Sequence, residues 1–552
     1  MEQIKVNHLN FTYPKETVPA ISNVSLSIKQ GEFILLCGPS GCGKTSLLRH
    51  LKKEIQPVGD LSGQIYYDQI QLEQHPEEKL AAEIGMVFQD PESQIVMDNV
   101  AQELAFSLEN LGIPSQVIRQ RIAEMVNFFG IHHLFHKSVH ELSGGQKQWV
   151  NLASVLVMQP KVLLLDEPTS QLDPVAAKEF LQMIYRINQE FSTTIVMSEH
   201  RLEEITPLAD KMIMMDQGKI KYEGEPKKVI KEIYRNRDEE AFLYLPSISK
   251  LFINVIGSSS EVPITVKEGR RWISSDEIEL VKANETKLEQ KKTPGILKSE
   301  EVTFQYRKHA PSVLNKLSLT IFEGELLSIV GGNGAGKSTL LQTLAGLLKP
   351  IRGSIYFKGK KLKKISPRER YKQIGYLPQN PKLYFVHDTV EEELLHVGRI
   401  VEAANMKTEV ERYANLFQVE HLLRRHPHDC SGGEQQKVAL ISLLLSNPDV
   451  ILVDEPTKGL DPYAKEQFAK VLKELNHNGM TIVMVTHDIE FAAEHSTRCA
   501  LLFNGEIISE DVPEEFFQHH YYYTTSINRI FREIIPGALT YKDVIAKCSV
   551  TV

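Results

Sequence analysis

A glycine-rich stretch, "GPSGCGKTSLL" (38–48), returns 293 residues later as "GGNGAGKSTLL" (331–341). No other feature constrains the fold more, because the recurrence is not isolated. "FTYP" (11–14) is matched by "FQYR" (304–307), "VFQDP" (87–91) by "LPQNP" (377–381), and "LSGGQKQ" (142–148) by "CSGGEQQ" (430–436). "LLLDEPTSQLDP" (163–174) is matched by "ILVDEPTKGLDP" (451–462), and "SEH" (198–200) by "THD" (486–488). The offset drifts only from 293 (Tyr13 to Tyr306) to 287 (His200 to His487), so the chain is a tandem duplication with small insertions and deletions.

Each copy reads as a strand, a glycine loop and a helix, then a helix-rich middle, then two apolar strands separated by a helix. Apolar runs alternating with helical patterns predict an α/β domain with a mainly parallel sheet. The expected division is 1–235 for the first domain, 236–295 for an appended segment and linker, and 296–552 for the second domain with a C-terminal tail. Residues 282–295 read as a polar linker ending at Pro294-Gly295. The aromatic tail "HHYYYTTSINRIFREIIPG" (519–537) reads as a segment that packs on its own domain.

Charge and composition exclude some classes. A net charge of −8 gives no global attraction to nucleic acid or anionic lipid. The five cysteines (37, 42, 430, 499, 548) show neither CxxC pairing nor metal-ligand spacing and read as free thiols in a reducing compartment. The opening "MEQIKVNHLNFTYP" lacks the basic-then-apolar design of a secretory leader. No window approaches the roughly 18 apolar residues that span a bilayer. Any service to a membrane is therefore expected through partners.

The pattern G-x-x-x-x-G-K-[ST] occupies 38–45 and 331–338. Glycines let successive backbone N–H groups turn toward a phosphate, and the following helix points its positive end there. Lys44 and Lys337 are expected on the β- and γ-phosphates, with Thr45 and Ser338 on Mg²⁺. In "LLLDEP" and "ILVDEP" an apolar strand delivers two carboxylates to its C-terminal end, where open α/β sheets bind ligands. Asp166 and Asp454 fit the Mg²⁺ side, and Glu167 and Glu455 fit the group that polarises an attacking water.

Phosphate loop, glutamine, Ser-Gly-Gly turn, Asp-Glu pair, "LDP" and histidine, in that order in both halves, resemble the ATPases of ABC transporters. The resemblance implies an antiparallel strand region and a helical subdomain beside each core sheet. It implies ATP and Mg²⁺ as ligands, and head-to-tail halves in which each ATP is closed over by the other half's Ser-Gly-Gly turn. One site would combine Gly38, Pro39, Ser40, Gly41, Cys42, Gly43, Lys44, Thr45, Gln89, Asp166, Glu167 and His200 with Ser431, Gly432, Gly433 and Glu434. The other would combine Gly331, Gly332, Asn333, Gly334, Ala335, Gly336, Lys337, Ser338, Gln379, Asp454, Glu455 and His487 with Ser143, Gly144, Gly145 and Gln146.

By the same resemblance, Gln89 and Gln379 also face the metal, and Tyr13 and Tyr306 stack on adenine. His200 and His487 join Glu167 and Glu455 as the catalytic groups at the γ-phosphate, and Asp173 and Asp461 match the aspartate of the loop after the catalytic pair. Two departures stand out: Cys430 and Glu434 replace leucine and glutamine in the second signature, and Trp149 stands where arginine is common. Cys42, inside the first phosphate loop, reads either as a thiol activated by a helix N-terminus or as a small buried filler.

"VFQDPESQIVMDNVAQELAFSLENLGIP" (87–114) and "SEHRLEE" (198–204) are similar to the fused double ATPase of energy-coupling-factor (ECF) importers. That similarity implies an importer of a small molecule such as a vitamin or its precursor. Its partners would be a transmembrane coupling protein and a small membrane substrate-binding protein, with the chain on the cytoplasmic face of a bacterial membrane. The alternative is a soluble tandem ATPase acting on ribosomes. That reading needs a basic linker, whereas 231–295 carries eleven Lys/Arg against eleven Asp/Glu. No nucleic-acid partner is expected.

Overall fold

The structure is a computed structural model that describes residues 2–257, 261–274, 279–282, 294–401 and 405–551. The chain divides into two compact units, Met1–Thr265 and Val266–Val552.

In the first unit the short apolar runs become five-residue strands buried on both faces, such as Phe33–Cys37, Val162–Asp166 and Thr194–Ser198. Strands of that kind need layers on both sides, which suits a parallel sheet. The six-stranded order is Lys219–Gly224, Lys211–Asp216, Phe33–Cys37, Thr194–Ser198, Val162–Asp166, Ile84–Val87. Every pairing is parallel except that of Lys219–Gly224. The alternating strands Glu2–Thr12 and Ile21–Lys29 pair antiparallel and join Asp60–Tyr67 and Ile70–Gln71 in a second sheet. Helices Val100–Asn110, Ser115–Phe129 and Gly144–Leu156 enclose a separate apolar core around Leu104, Ile122 and Val150. Trp149 packs there, edge-on to Phe129 and Phe180 at 5.7 and 5.1 Å, so it acts as an aromatic wedge where a charged residue was expected.

The second unit repeats this plan with the order Ile374–Leu377, Val450–Asp454, Thr481–Thr486, Leu326–Val330, Arg498–Phe503, Glu506–Asp511. Its antiparallel sheet holds Gly295–Phe304, Leu314–Phe322, Arg352–Phe357 and Lys360–Lys361. Both core sheets place the aspartate of the Asp-Glu pair last on an interior parallel strand, paired with Thr194–Ser198 or Thr481–Thr486, which in turn pairs with the strand that precedes the phosphate loop.

Beyond the expected first domain, helix Ser247–Ile256 belongs to the first unit. Helix Val266–Ile273 belongs to the second, where it packs on Ser526–Phe531 and Arg270 donates to the Arg529 carbonyl. "YLPSISKLF" (244–252) and "YTTSINRIF" (523–531) occupy matching places. Ser249 Oγ donates to the Pro263 carbonyl at 2.7 Å, and Asn528 Nδ2 to that of Pro536 at 2.9 Å. The aromatic tail thus packs on its own unit, with Ile527, Asn528 and Phe531 buried. Of the expected linker, 283–293 lies outside the described residues.

Candidate functional site

Each phosphate loop joins a buried strand to a helix capped by a glycine in the left-handed region, Gly43 (φ 103°) before Lys44–His50 and Gly336 (φ 102°) before Lys337–Leu344. Lys44 Nζ donates to the Gly38 and Pro39 carbonyls, both at 2.9 Å. Lys337 Nζ does the same to Gly331 and Gly332 at 2.9 and 3.2 Å. Each ammonium is buried and folded under its own loop, a position from which it can reach a phosphate cradled above. Ser40, Gly41, Asn333 and Gly334 form the loop crests, and a Cβ added at Gly41 or Gly334 meets nothing within 4 Å. Ala335 packs against the second unit's core, and Cys42, 4% exposed, packs into the first unit's. The reading of Cys42 as a buried filler therefore stands over that of an activated thiol.

At the metal-side carboxylates the two units differ. Thr45 Oγ1 donates to Asp166 Oδ1 at 3.1 Å, and Ser198 Oγ donates to the same oxygen at 2.7 Å. Burial pushes the Asp166 carboxyl up, against those hydroxyls. In the second unit Val485 replaces Ser198 in the pairing register. Tyr376 Oη approaches Asp454 Oδ2 at 3.4 Å instead, while the buried Oδ1 finds no donor in hydrogen-bond geometry. Burial, reinforced by Glu455, raises the Asp454 carboxyl to about 6, with Ser338 and Lys337 opposing. Tyr376 is itself pushed up to about 12, by burial and then by the Asp454 charge. A carboxylate beside a hydroxyl, with an oxygen unsatisfied in the interior, is a hard oxygen donor set that fits Mg²⁺.

The glutamates that follow sit in the left-handed region, Glu167 at φ 43° and Glu455 at φ 50°. That conformation is costly for a side chain with a Cβ, and its recurrence in both halves marks a functional constraint. Gln89 Nε2 donates to Glu167 Oε2 at 2.7 Å, and His200 Nε2 lies 2.7 Å from Glu167 Oε1. Glu455 meets the His487 ring at 2.6 Å, the His487 N–H at 3.1 Å and Lys337 Nζ at 3.4 Å. Burial alone would raise the Glu455 carboxyl, but the His487 ring, aided by Lys337, holds it below the ordinary value. Among the described residues no hydrogen bond joins Gln379, which is exposed, to Glu455.

Tyr13 and Tyr306 are tethered by their hydroxyls to Ser46 Oγ (2.9 Å) and Thr339 Oγ1 (3.0 Å), in the first turn of each loop helix. Tyr306 is 60% exposed, leaving its ring open to a planar ligand. Ser143 and Ser431 cap helices Gly144–Leu156 and Gly432–Leu444 with reciprocal bonds to Gln146 and Glu434. The side chains of Gln146 and Glu434 are thereby spent on their own caps, and the Ser-Gly pairs stay exposed. Gly145 and Gly433 lie close over Leu172 and Leu460. Asp173 and Asp461 cap helices Pro174–Phe191 and Pro462–His477. Sequence reasoning missed Ser198 and Tyr376 at the carboxylates, and Tyr523, whose hydroxyl lies 3.6 Å from where a Cβ on Gly332 would sit. A polar residue ending a strand next to the Asp-Glu strand was the only available signal.

A doubled P-loop fold whose paired carboxylates and histidine converge on each loop defines a nucleotide triphosphate hydrolase. The ABC transporter family profile matches residues 21–170 and 314–458, and the chain belongs to that family. A Bacillus cereus protein provisionally named an ABC transporter ATP-binding protein is 50% identical over 99% of this chain and 98% of its own length. A Bacillus subtilis protein, YkoD, provisionally named for HMP/thiamine import, is 31% identical over 94% of this chain and 92% of its own. Among solved structures, a Clostridium perfringens chain described as cbiO1, part of the ABC transporter complex cbiONQ, overlays with a TM-score of 0.39 at 33% identity. It covers 44% of this chain and 94% of that one. The chain is thus an ATP-hydrolysing ATP-binding subunit of a transporter, and no described helix is long and apolar enough to cross a membrane.

Proposed function

We propose that this chain is the energy-coupling subunit of an ECF-type importer, hydrolysing Mg²⁺-ATP at two composite sites. In each site one half supplies the phosphate loop, the Asp-Glu pair and the histidine, and the other half supplies the Ser-Gly-Gly helix start. Lys44 and Lys337 would hold the β- and γ-phosphates. Thr45 with Asp166, and Ser338 with Asp454, would hold Mg²⁺, which supplies charge neutralisation at the transferred phosphoryl group. Glu167 and Glu455 orient the attacking water and accept its proton, and His200 and His487 fix those carboxylates while facing the γ-phosphate. The exposed signature helices would add two glycine amides and a positive helix end.

The observation that carries the importer reading lies in the loops after the glutamines. Gln94 bridges Phe88 N and the Met86 carbonyl, and buried Glu103 accepts Val96 N and Met97 N at 3.0 and 2.8 Å. Glu393 does likewise for Val386 N and His387 N at 2.7 and 2.9 Å. A buried carboxylate in each unit thus holds out an apolar side chain, Val96 or Val386, the latter 82% exposed. On this reading the two loops, each braced by a buried carboxylate, would receive the coupling helices of a membrane partner. The name of the Bacillus subtilis relative supports vitamin-precursor import.

The test is a pull-down of the tagged chain from membranes solubilised in mild detergent, read by mass spectrometry. Two small integral-membrane proteins in stoichiometric amount are expected. Ribosomal proteins without a membrane partner would overturn the reading.

A further inference from the structure

The strand Thr194–Ser198 is followed directly by a glutamate, Glu199, that is only 2% exposed. Among the described residues four hydrogen-bond donors hold its carboxylate. Its Oε1 accepts from the Thr169 hydroxyl and from Thr169 N at 3.2 Å. Its Oε2 accepts from His200 N at 2.8 Å and Arg201 N at 3.2 Å. A buried carboxylate with both oxygens doubly bonded is held rigidly, and it holds its donors in turn.

Those donors belong to the two segments that the reaction must keep in register. Thr169 lies two residues beyond Glu167, in the turn leading to Asp173, and His200 puts its ring 2.7 Å from Glu167 Oε1. The contacts close a ring: Glu167 to the His200 side chain, His200 backbone to Glu199, Glu199 to Thr169, and Thr169 back to Glu167 through two peptide units. In the second half the matching residues are Thr457 and Thr486, whose hydroxyls are 3.4 Å apart, at the limit of a hydrogen bond. There the backbone N–H of His487 turns to Glu455 itself.

We infer that Glu199 is a positioning residue of the first half's ATP site, locking the histidine loop to the turn that carries the catalytic glutamate. It touches no nucleotide; it acts through His200 and Glu167. The inference rests on the assignment of Glu167 and His200 to that site. Near-attack geometry is demanding, and a misplacement of about 1 Å can cost about 10²-fold in rate. Cutting the ring should therefore lower turnover without lowering affinity.

The experiment uses the full chain, with Glu455→Gln to leave hydrolysis to the first site, and again with Glu455 intact. Glu199→Thr installs what the second half carries. Glu199→Gln keeps most of the link: its amide oxygen can accept from the His200 and Arg201 N–H groups and its NH₂ can donate to the Thr169 hydroxyl, while the Thr169 N–H loses its acceptor. Thr169→Val, an isosteric change, weakens the link from the other side by removing the hydroxyl donor and leaving only the Thr169 N–H.

Steady-state ATPase kinetics, equilibrium binding of Mg²⁺ with a non-hydrolysable ATP analogue, and thermal melting are measured on each. The expected result is a kcat reduced about tenfold or more by Glu199→Thr and by Thr169→Val in the Glu455→Gln chain, and at least about twofold with Glu455 intact. KM and analogue affinity stay within about threefold, and Glu199→Gln restores kcat to within about threefold. An unchanged kcat, parallel losses of kcat, affinity and melting temperature, or a Glu199→Gln as slow as Glu199→Thr would each overturn the inference. Continued hydrolysis by the Glu167→Gln, Glu455→Gln double variant would instead remove the underlying site assignment.

Discussion

Gly38→Ala separates what the fold demands of the phosphate loop from what a ligand demands. Gly38 has φ +134°, and a Cβ there would lie 2.1 Å from the Met215 carbonyl oxygen and 3.1 Å from Cys42 Sγ. An ordinary contact begins more than 1 Å farther out, so backbone must move. Met215 belongs to strand Lys211–Asp216, whose register with Phe33–Cys37 runs from Ile34↔Lys211 to Cys37↔Met214. Overpacking against backbone of this kind costs about 1–3 kcal/mol, and the disfavoured φ about as much again, giving roughly 2–6 kcal/mol. For a unit of this size each kcal/mol moves the midpoint by about 2–4 °C, so the first unit's transition should fall by about 4–24 °C.

Two controls separate the two contributions. Gly331→Ala meets the Leu502 carbonyl oxygen at 2.4 Å without a left-handed φ, and should cost about 2–3 kcal/mol in the second unit. Gly41→Ala has φ +79° but nothing within 4 Å, and should cost about 1–2 kcal/mol. Calorimetry of the three variants reads the order directly. If Gly38→Ala melts within about 2 °C of the parent, or no lower than Gly41→Ala, the steric reasoning is wrong.

Other expectations are more local. Asp488 caps helix Ile489–His495 and pairs with Lys465 at 2.6 Å. Burial opposes its charge, but Lys465 wins and holds the carboxyl down at about 2, against an ordinary 3.8. A depressed folded value means stabilisation that is complete above about pH 4 and lost as pH falls through 2, worth about 2 kcal/mol. Asp488→Asn should lose that amount at pH 7, and its unfolding curve should converge with the parent's near pH 2. Tyr13→Phe and Tyr306→Phe lose only hydroxyl tethers and should bind ATP within about threefold of the parent. The alanine variants forfeit stacking worth about 1–3 kcal/mol, and equal affinities for Phe and Ala would rule out stacking. Cys42 should react with N-ethylmaleimide no faster than Cys37 or Cys499, whose thiols burial pushes up, the latter to about 12. Rapid modification of Cys42 in the folded chain would contradict its packing.

The duplication, the strand-loop-helix order and the phosphate loops were legible because they rest on local residue types at fixed spacing. The sequence also singled out the side chains that gather beside each loop, Glu167 with His200 and Glu455 with His487. Three things lay beyond that reading. Trp149 stood in the sequence as a departure from arginine that left the packing of its helix open, and Phe129 and Phe180, at 20 and 31 residues' remove, pack it against the helical core. The repeat continues through 244–252 and 523–531, where only a serine, an isoleucine, a tyrosine and a phenylalanine are shared and burial rather than motif keeps the likeness. The equal-looking carboxylate pairs also differ chemically, since Ser198 serves Asp166 whereas Val485 cannot serve Asp454.

The sequence by itself determined that this protein has two nucleotide-hydrolysing halves, because a phosphate loop works through backbone geometry that a short glycine pattern encodes almost completely. Only the tertiary structure decided how each half's carboxylates are held, because those partners arrive from neighbouring strands. Ser198 stands 32 residues from Asp166, and Glu199 stands 30 from Thr169. Parallel pairing makes such residues neighbours through register, and register is set by the packing of whole strands rather than by any residue's own neighbours in the chain.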